Sequence, residues 1–206
     1  MDVFAFSIRI DEDMKEVIFD KQLAFLREID RLKGIVRQSP LIDESRRENS
    51  AEHSWHVAVY ALILAEHADS DVDISRVIKM MLIHDIVEID AGDTPIHMLS
   101  GQSDQAARER EAADRLFGLL PADQGAELRR LWDEFEEAET KDAQFAKSLD
   151  RLQPLLHNIA VDGGTWAAAK ATKEQVHERY GPTIEKGSAT FWDLASRLVD
   201  EHFAER

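Results

Sequence analysis

Apolar residues recur along nearly the whole chain at helical spacing, and no stretch alternates as a strand would. From Met14 to about Val36, the positions Val17, Ile18, Leu23, Phe25, Leu26, Ile29 and Leu32 predict a helix loosened at its end by Gly34. Residues 37–50 (RQSPLIDESRRENS), with Pro40, two serine clusters and many charges, read as a loop. Ser50 is placed to cap a helix running from Ala51 to about Ala68, with Glu52 in its first turn and an apolar middle, VAVYALILA. Asp69 to Asp71 breaks that helix, and Asp73 or Ser75 restarts the chain into VIKMMLIHDIVEIDA, apolar nearly all round. Ala91-Gly92-Asp93-Thr94-Pro95 ends it, and residues 99–104 read as a loop.

Gln105 to Leu120 is amphipathic, and Pro121 opens a further helix to about Ala138. Residues 140–160 carry the clearest stripe: Phe145, Leu149, Leu152, Leu156 and Ile159. A short helix near 173–180, a Gly181-Pro182 turn and a final helix over about 188–203 complete the pattern. The expected fold is all-α, a compact multi-helix bundle. It is expected to form a single domain over 1–206, with its core at about 14–160 and a C-terminal helical extension at about 161–206.

Composition narrows the function classes. The net charge of −16 argues against nucleic-acid and anionic-membrane partners, which call for Lys/Arg clusters. An anionic small substrate stays open, because a metal inverts the local field. The absence of cysteine excludes disulfides and thiolate metal sites. The start, MDVFAFSIRIDEDMKE, lacks the pattern of a signal peptide, and the apolar run from Val57 to Ala65 is too short to span a bilayer. A cytoplasmic protein is expected.

Against that apolar background the ionisable residues stand out. His84, Asp85, Glu88, Asp90 and Asp93 follow one buried-type helix, and burying them unpaired would cost several kcal/mol or more. His84 and Glu88, four apart, should share a helix face, with Asp85 beside Glu88. His53 and Asp150 lie on or beside two further apolar helices. Two imidazoles and two carboxylates suit a hard or borderline divalent ion such as Mn, Fe, Co, Ni or Mg. Asp90 reads as an exposed helix-end charge and Trp55 as core. His56 reads as a packing or hydrogen-bonding residue, and His67, His157, His177 and His202 as surface or boundary residues. The acidic run from Asp133 to Glu139 reads as a solvated helix face.

The pattern His53 … His84-Asp85 … Asp150, set in the words RENSAEHSW, HDIVE with Gly92-Asp93, and LDRL, resembles the signature of the HD-domain metal-dependent phosphohydrolases, specifically their bacterial 5′-deoxynucleotidase branch. The likeness spans roughly residues 20–160. It implies a helical bundle, usually a homodimer, with one divalent ion per chain (Mn, Co, Fe, Ni, Mg or Zn) held by His53, His84, Asp85 and Asp150. It implies hydrolysis of a (deoxy)nucleoside 5′-monophosphate to nucleoside and phosphate by a metal-bound water. Glu88 would orient or deprotonate that water, and Asp93 with Thr94 would meet the substrate or the leaving oxygen.

Two departures from the family matter. Where the deoxynucleotidases carry Arg-Trp before Pro-Leu, this chain has Gln38-Ser39 before Pro40-Leu41, so Arg37, Arg46 or Arg47 would have to grip the phosphate. Only His97 lies between the His-Asp pair and Asp150, which favours one metal over two. The rival readings are a deoxynucleoside triphosphate triphosphohydrolase, a non-catalytic metal-stabilised nucleotide- or protein-binding module, and, disfavoured by the histidine count, an iron oxygenase.

Overall fold

The computed structural model describes residues 12–69, 71–94 and 102–204. Its helices are α1 (Glu12–Ile29), α2 (Ser50–Ile63), α3 (Ile74–Ile83), α4 (Glu88–Ala91), α5 (Gln102–Phe117), α6 (Ala122–Glu137), α7 (Lys141–Ala160), α8 (Gly164–Ala169), α9 (Lys173–Gly187) and α10 (Ala189–Ala204). The helical start signals act as their chemistry dictates. Asp73 caps α3 by accepting from the Ser75 and Arg76 amides, and Thr140 caps α7 by accepting from the Ala143 amide. At α2 the cap sits one residue earlier than Ser50. Asn49 and Glu52 exchange side-chain and backbone bonds in a capping box, which leaves the Ser50 hydroxyl free for another partner.

α7 is the axis of the bundle, packing against α2, α3, α6, α9 and α10. Phe145, Leu149, Leu152 and Leu155 are buried along it, and complete burial of each such side chain is worth about 1.5–3 kcal/mol. Trp166, Val176, Tyr180, Ile184, Phe191 and Val199 join the same core, so the last forty residues complete the bundle that α7 begins.

Several local expectations are corrected. Residues 37–50 are loop only over 41–46: Val36–Pro40 (β1) and Arg47–Asn49 (β2) pair antiparallel, the only sheet among the described residues. The strands are too short to show alternation, and serine and charge mask them. The helix bearing the His-Asp pair is not continuous either. α3 stops at Ile83, and His84–Val87 form a turn of 3₁₀ helix before α4. In that geometry residues three apart eclipse, so Asp85 rather than His84 aligns with Glu88.

The Gly181-Pro182 turn is absent, because α9 runs through both residues. Gly181 lies against the Trp192 ring, in space that a Cβ would contest, and the burial of Tyr180 and Ile184 holds the helix together across Pro182. Trp55 is not core but 63% exposed, while His157 is buried rather than peripheral. His97 and Pro95 lie outside the described residues, as do residues 99–101 of the expected loop at 99–104; its last three residues are not loop but the start of α5.

Gly187 closes α9 against the backbone of Gln144 and the side chain of Ser148 in α7, with no room for a Cβ. Gly187→Ala should therefore destabilise the fold by about 1–3 kcal/mol through overpacking. Thermal unfolding followed by circular dichroism should show a lower Tm. An unchanged Tm would mean that α9 can shift off α7 without cost.

Candidate metal centre and its cavity

Three separate elements converge at the centre of the bundle. His53 lies in the first turn of α2 just past the capping box, His84 and Asp85 lie in the 3₁₀ turn, and Asp150 lies midway along α7. All four are buried. The two imidazole rings stand 5.5 Å apart, centroid to centroid. His53 Nε2 is 3.0 Å from Asp150 Oδ1, and His84 Nε2 is 3.5 Å from the same oxygen. One ligand atom from each of His53, His84 and Asp150 lies within 4.8 Å of the others, a group that could hold a metal ion. Asp85 stands beside it, with Oδ1 3.0 Å from His84 Nε2.

The hydrogen bonds behind the rings fix which nitrogen is free. His84 Nδ1 lies 2.8 Å from the Met81 carbonyl, which can only accept, so Nδ1 carries the proton. His84 Nε2 is buried and makes no hydrogen bond, although carboxylate oxygens surround it. His53 Nδ1 faces Gln153 Oε1 at 3.1 Å and is likewise a donor. Both rings thus direct Nε2 at Asp150 Oδ1. The His84 lone pair facing carboxylate oxygens is repelled, and the His53 Nε2 beside Asp150 needs a proton, unless a cation lies among them; imidazole with carboxylate is the donor set that divalent ions of the Mn–Zn series accept. The residues fit such an ion.

The remaining groups compensate one another incompletely. Arg37, from β1, donates from Nη1 to Asp85 Oδ2 at 2.9 Å, and the same nitrogen lies 3.9 Å from both Glu88 Oε1 and Asp93 Oδ1. Burial disfavours its charge, but Asp85, Glu88, Asp93 and Asp150 outweigh that and raise its pKa. Burial and the neighbouring Asp85 charge push Glu88 up to about 9, even though the Ser50 hydroxyl donates to its carboxylate. Asp93 is raised by burial too, against the pull of Arg37. Burial and Arg37 oppose the His53 imidazolium, but the carboxylates of Asp150, Glu48 and Asp85 prevail and push it up to about 9. Asp150, despite its burial, is held well below the usual carboxylate range by Arg151, His53 and His84.

A cavity of about 590 Å³ is lined by Arg37 and Asp93 from this cluster. Arg47 and Thr94, both singled out from sequence, line it as well. Arg46 does not: its guanidinium is held by both oxygens of Glu52. The far wall comes from α8 and α9, through residues such as Thr165, Ala168 and Tyr180. Gly92 reaches φ +77° at the end of α4, a conformation that glycine adopts without strain and that turns the chain to bring Asp93 and Thr94 back over the cavity.

Sequence reasoning missed Glu48, Arg151, Gln153 and His157. Glu48 is buried and accepts from Gln153 Nε2 at 3.0 Å. Arg151 lines the cavity, with Nη1 3.8 Å from Asp150 Oδ2. Its place next to Asp150 in the chain was the available signal. Asp90 is exposed as expected and pairs with Arg115, and His56 packs edge-on against Tyr60. The acidic side chains Asp133, Glu134 and Glu136 pair with Arg129, Arg76 and Lys147.

Comparison with known proteins agrees with this geometry. The chain is 32% identical to the bovine 5′-deoxynucleotidase HDDC2 over 136 residues, 65% of this chain and 64% of that one. It is 28% identical to a 5′-deoxynucleotidase of Yersinia pestis over 188 residues, 86% of this chain and 95% of that one. A crystal structure described as a predicted metal-dependent phosphohydrolase from Magnetospirillum magnetotacticum shares 56% identity and superposes with a TM-score of 0.84, covering 90% of this chain and 95% of that one. The HD-domain profile matches residues 29–192, which take in the hairpin, the histidines, Asp150 and the cavity wall; the chain belongs to the HD-domain family.

Proposed function

We propose that the chain is a metal-dependent phosphohydrolase that cleaves (deoxy)nucleoside 5′-monophosphates to nucleoside and phosphate. The observation that carries this reading is the convergence of His53, His84 and Asp150 beside a cavity lined with arginine. The chain is also similar over most of its length to a protein described as a metal-dependent phosphohydrolase, and over part of it to proteins named 5′-deoxynucleotidases. We assign His53, His84, Asp85 and Asp150 as ligands of one divalent ion. When bound, that ion would supply positive charge to the phosphoryl oxygens and lower the pKa of water toward neutrality.

The chain's own groups then have distinct tasks. Glu88 orients the attacking water, or deprotonates it once the charge of a bound cation brings its raised pKa down, steadied by the Ser50 hydroxyl and Arg37. Asp93 and Thr94, where the chain turns over the cavity, meet the leaving oxygen or the sugar. Arg37, Arg47 and Arg151 hold the phosphate. Arg37 sits one residue before the expected position, yet its guanidinium reaches the carboxylates of the site, which supports its standing in for the missing Arg-Trp pair. Arg46, committed to Glu52, takes no part.

We read the protein as a cytoplasmic homodimer of single HD domains. Among the described residues no helix is long and apolar enough to cross a membrane, and the C-terminal helices share the core of α7. One observation favours the rival triphosphohydrolase reading: the cavity holds Arg47 and Arg151 in addition to Arg37, cations that a longer phosphate chain could use.

Phosphate release after chelation and reloading with Mn, Co, Ni, Mg or Zn, against deoxy- and ribonucleoside mono- and triphosphates, tests the reading. Chelation should abolish turnover, and reloading should restore it on monophosphates. Tripolyphosphate release would favour the rival, and silence on every nucleotide would refute both. Asp85→Ala should lower kcat by on the order of 10³-fold, the scale of losing a principal electrostatic stabiliser, while keeping its helical spectrum. Glu88→Gln should cost about 10²–10⁴-fold in kcat with metal affinity retained. Arg151→Ala should raise KM with kcat little changed, and a loss confined to kcat would reassign Arg151 to the chemical step.

A further inference from the structure

The two imidazoles are backed in different ways. His84 leans on a main-chain carbonyl, Met81, whose position the helix dictates. His53 leans on a side chain, Gln153, which is fully buried and lies three residues beyond Asp150 on α7. A carbonyl cannot change its role, whereas an amide can turn over. A reversed Gln153 would bring its NH₂ against His53 Nδ1 and drive the ring proton onto Nε2, the atom that faces Asp150. The lone pair needed for a metal would then be gone.

Glu48 prevents that reversal. Its carboxylate only accepts, and its Oε1 receives Gln153 Nε2 at 3.0 Å. Turning the amide would set oxygen against oxygen in a buried site. The same NH₂ lies 3.1 Å from His157 Nε2 and 3.3 Å from His56 Nδ1, where a nitrogen donor is accepted and an oxygen would require each ring to change tautomer or take up a proton. Glu48 Oε2 lies 3.5 Å from His53 Nδ1 and 3.8 Å from Arg37 Nε, so β2 also anchors the back of the ring. Resting on the metal-centre reading above, we propose that Gln153, oriented by Glu48, is the positioning residue that keeps His53 an Nε2 ligand.

Titration with Co²⁺ tests this without turnover, through the dissociation constant and the visible absorption of the bound ion. Gln153→Met keeps the side-chain volume and removes both polar contacts. It should weaken Co²⁺ binding by roughly 10–100-fold and alter the visible bands, with helical content unchanged. The exchanged pair Glu48→Gln with Gln153→Glu restores a donor–acceptor match at both contacts and should recover most of the affinity. Gln153→Met binding Co²⁺ as tightly as the wild type would overturn the inference, as would a folded exchanged pair no better than Gln153→Met. A wild-type chain that takes up no Co²⁺ would overturn the metal-centre reading and this inference together, whereas equal affinities overturn only the second.

Discussion

The carboxylates of Glu48, Asp85, Glu88, Asp93 and Asp150 crowd around one buried guanidinium, that of Arg37, with the rings of His53 and His84 wedged among them. At an effective dielectric near 20, like charges about 4 Å apart repel by about 4 kcal/mol, more than burying one leucine returns. Acid exceeds base here, so protons or a cation must make up the balance. The elevated Glu88 and His53 reflect the first solution, and the unbonded Nε2 of His84 points to the second. Much of the surrounding architecture serves this cluster. α2 and α3 bury apolar side chains on much of their surface because they enclose it, and the hairpin exists to carry Arg37 and Glu48 into it.

The central cluster was legible because ionisable residues are conspicuous inside apolar helices. His53, His84, Asp85 and Asp150 could be named on that contrast alone, before any likeness to a family. The helix order was legible for the same reason, since a stripe such as that of α7 has one reading. The hairpin was not, because three to five residues of mixed polarity carry no period, and pairings such as Val36 with Asn49 and Pro40 with Arg47 leave no local mark. Nor was the break at Ile83, since a 3₁₀ turn differs from α-helix in hydrogen bonding rather than composition. Gln153 looked like any polar residue on a helix edge. Its importance comes from Glu48, more than a hundred positions earlier in the chain.

The cavity divides labour between the halves of the protein. The charged end draws on β1, β2 and the segment after α4, while α8 and α9 supply a wall of small and aromatic side chains. Ala168 and Tyr180 can therefore change what the cavity admits without disturbing the ionisable cluster. This separation lets one centre be reused on different substrates.

The interior proline of α7 has its own consequence. Pro154 lies four residues after Asp150 and has no amide hydrogen, so the Asp150 carbonyl lacks the usual helical donor at that position. The chain thereby leaves a main-chain acceptor without its helical donor directly behind a side chain held well below the usual carboxylate range. Loss of that bond makes this the turn at which α7 resists bending least, and Asn158, which donates to the Pro154 carbonyl, steadies the turn that follows. Precision at the centre and compliance along the axis are thus written into the same five residues.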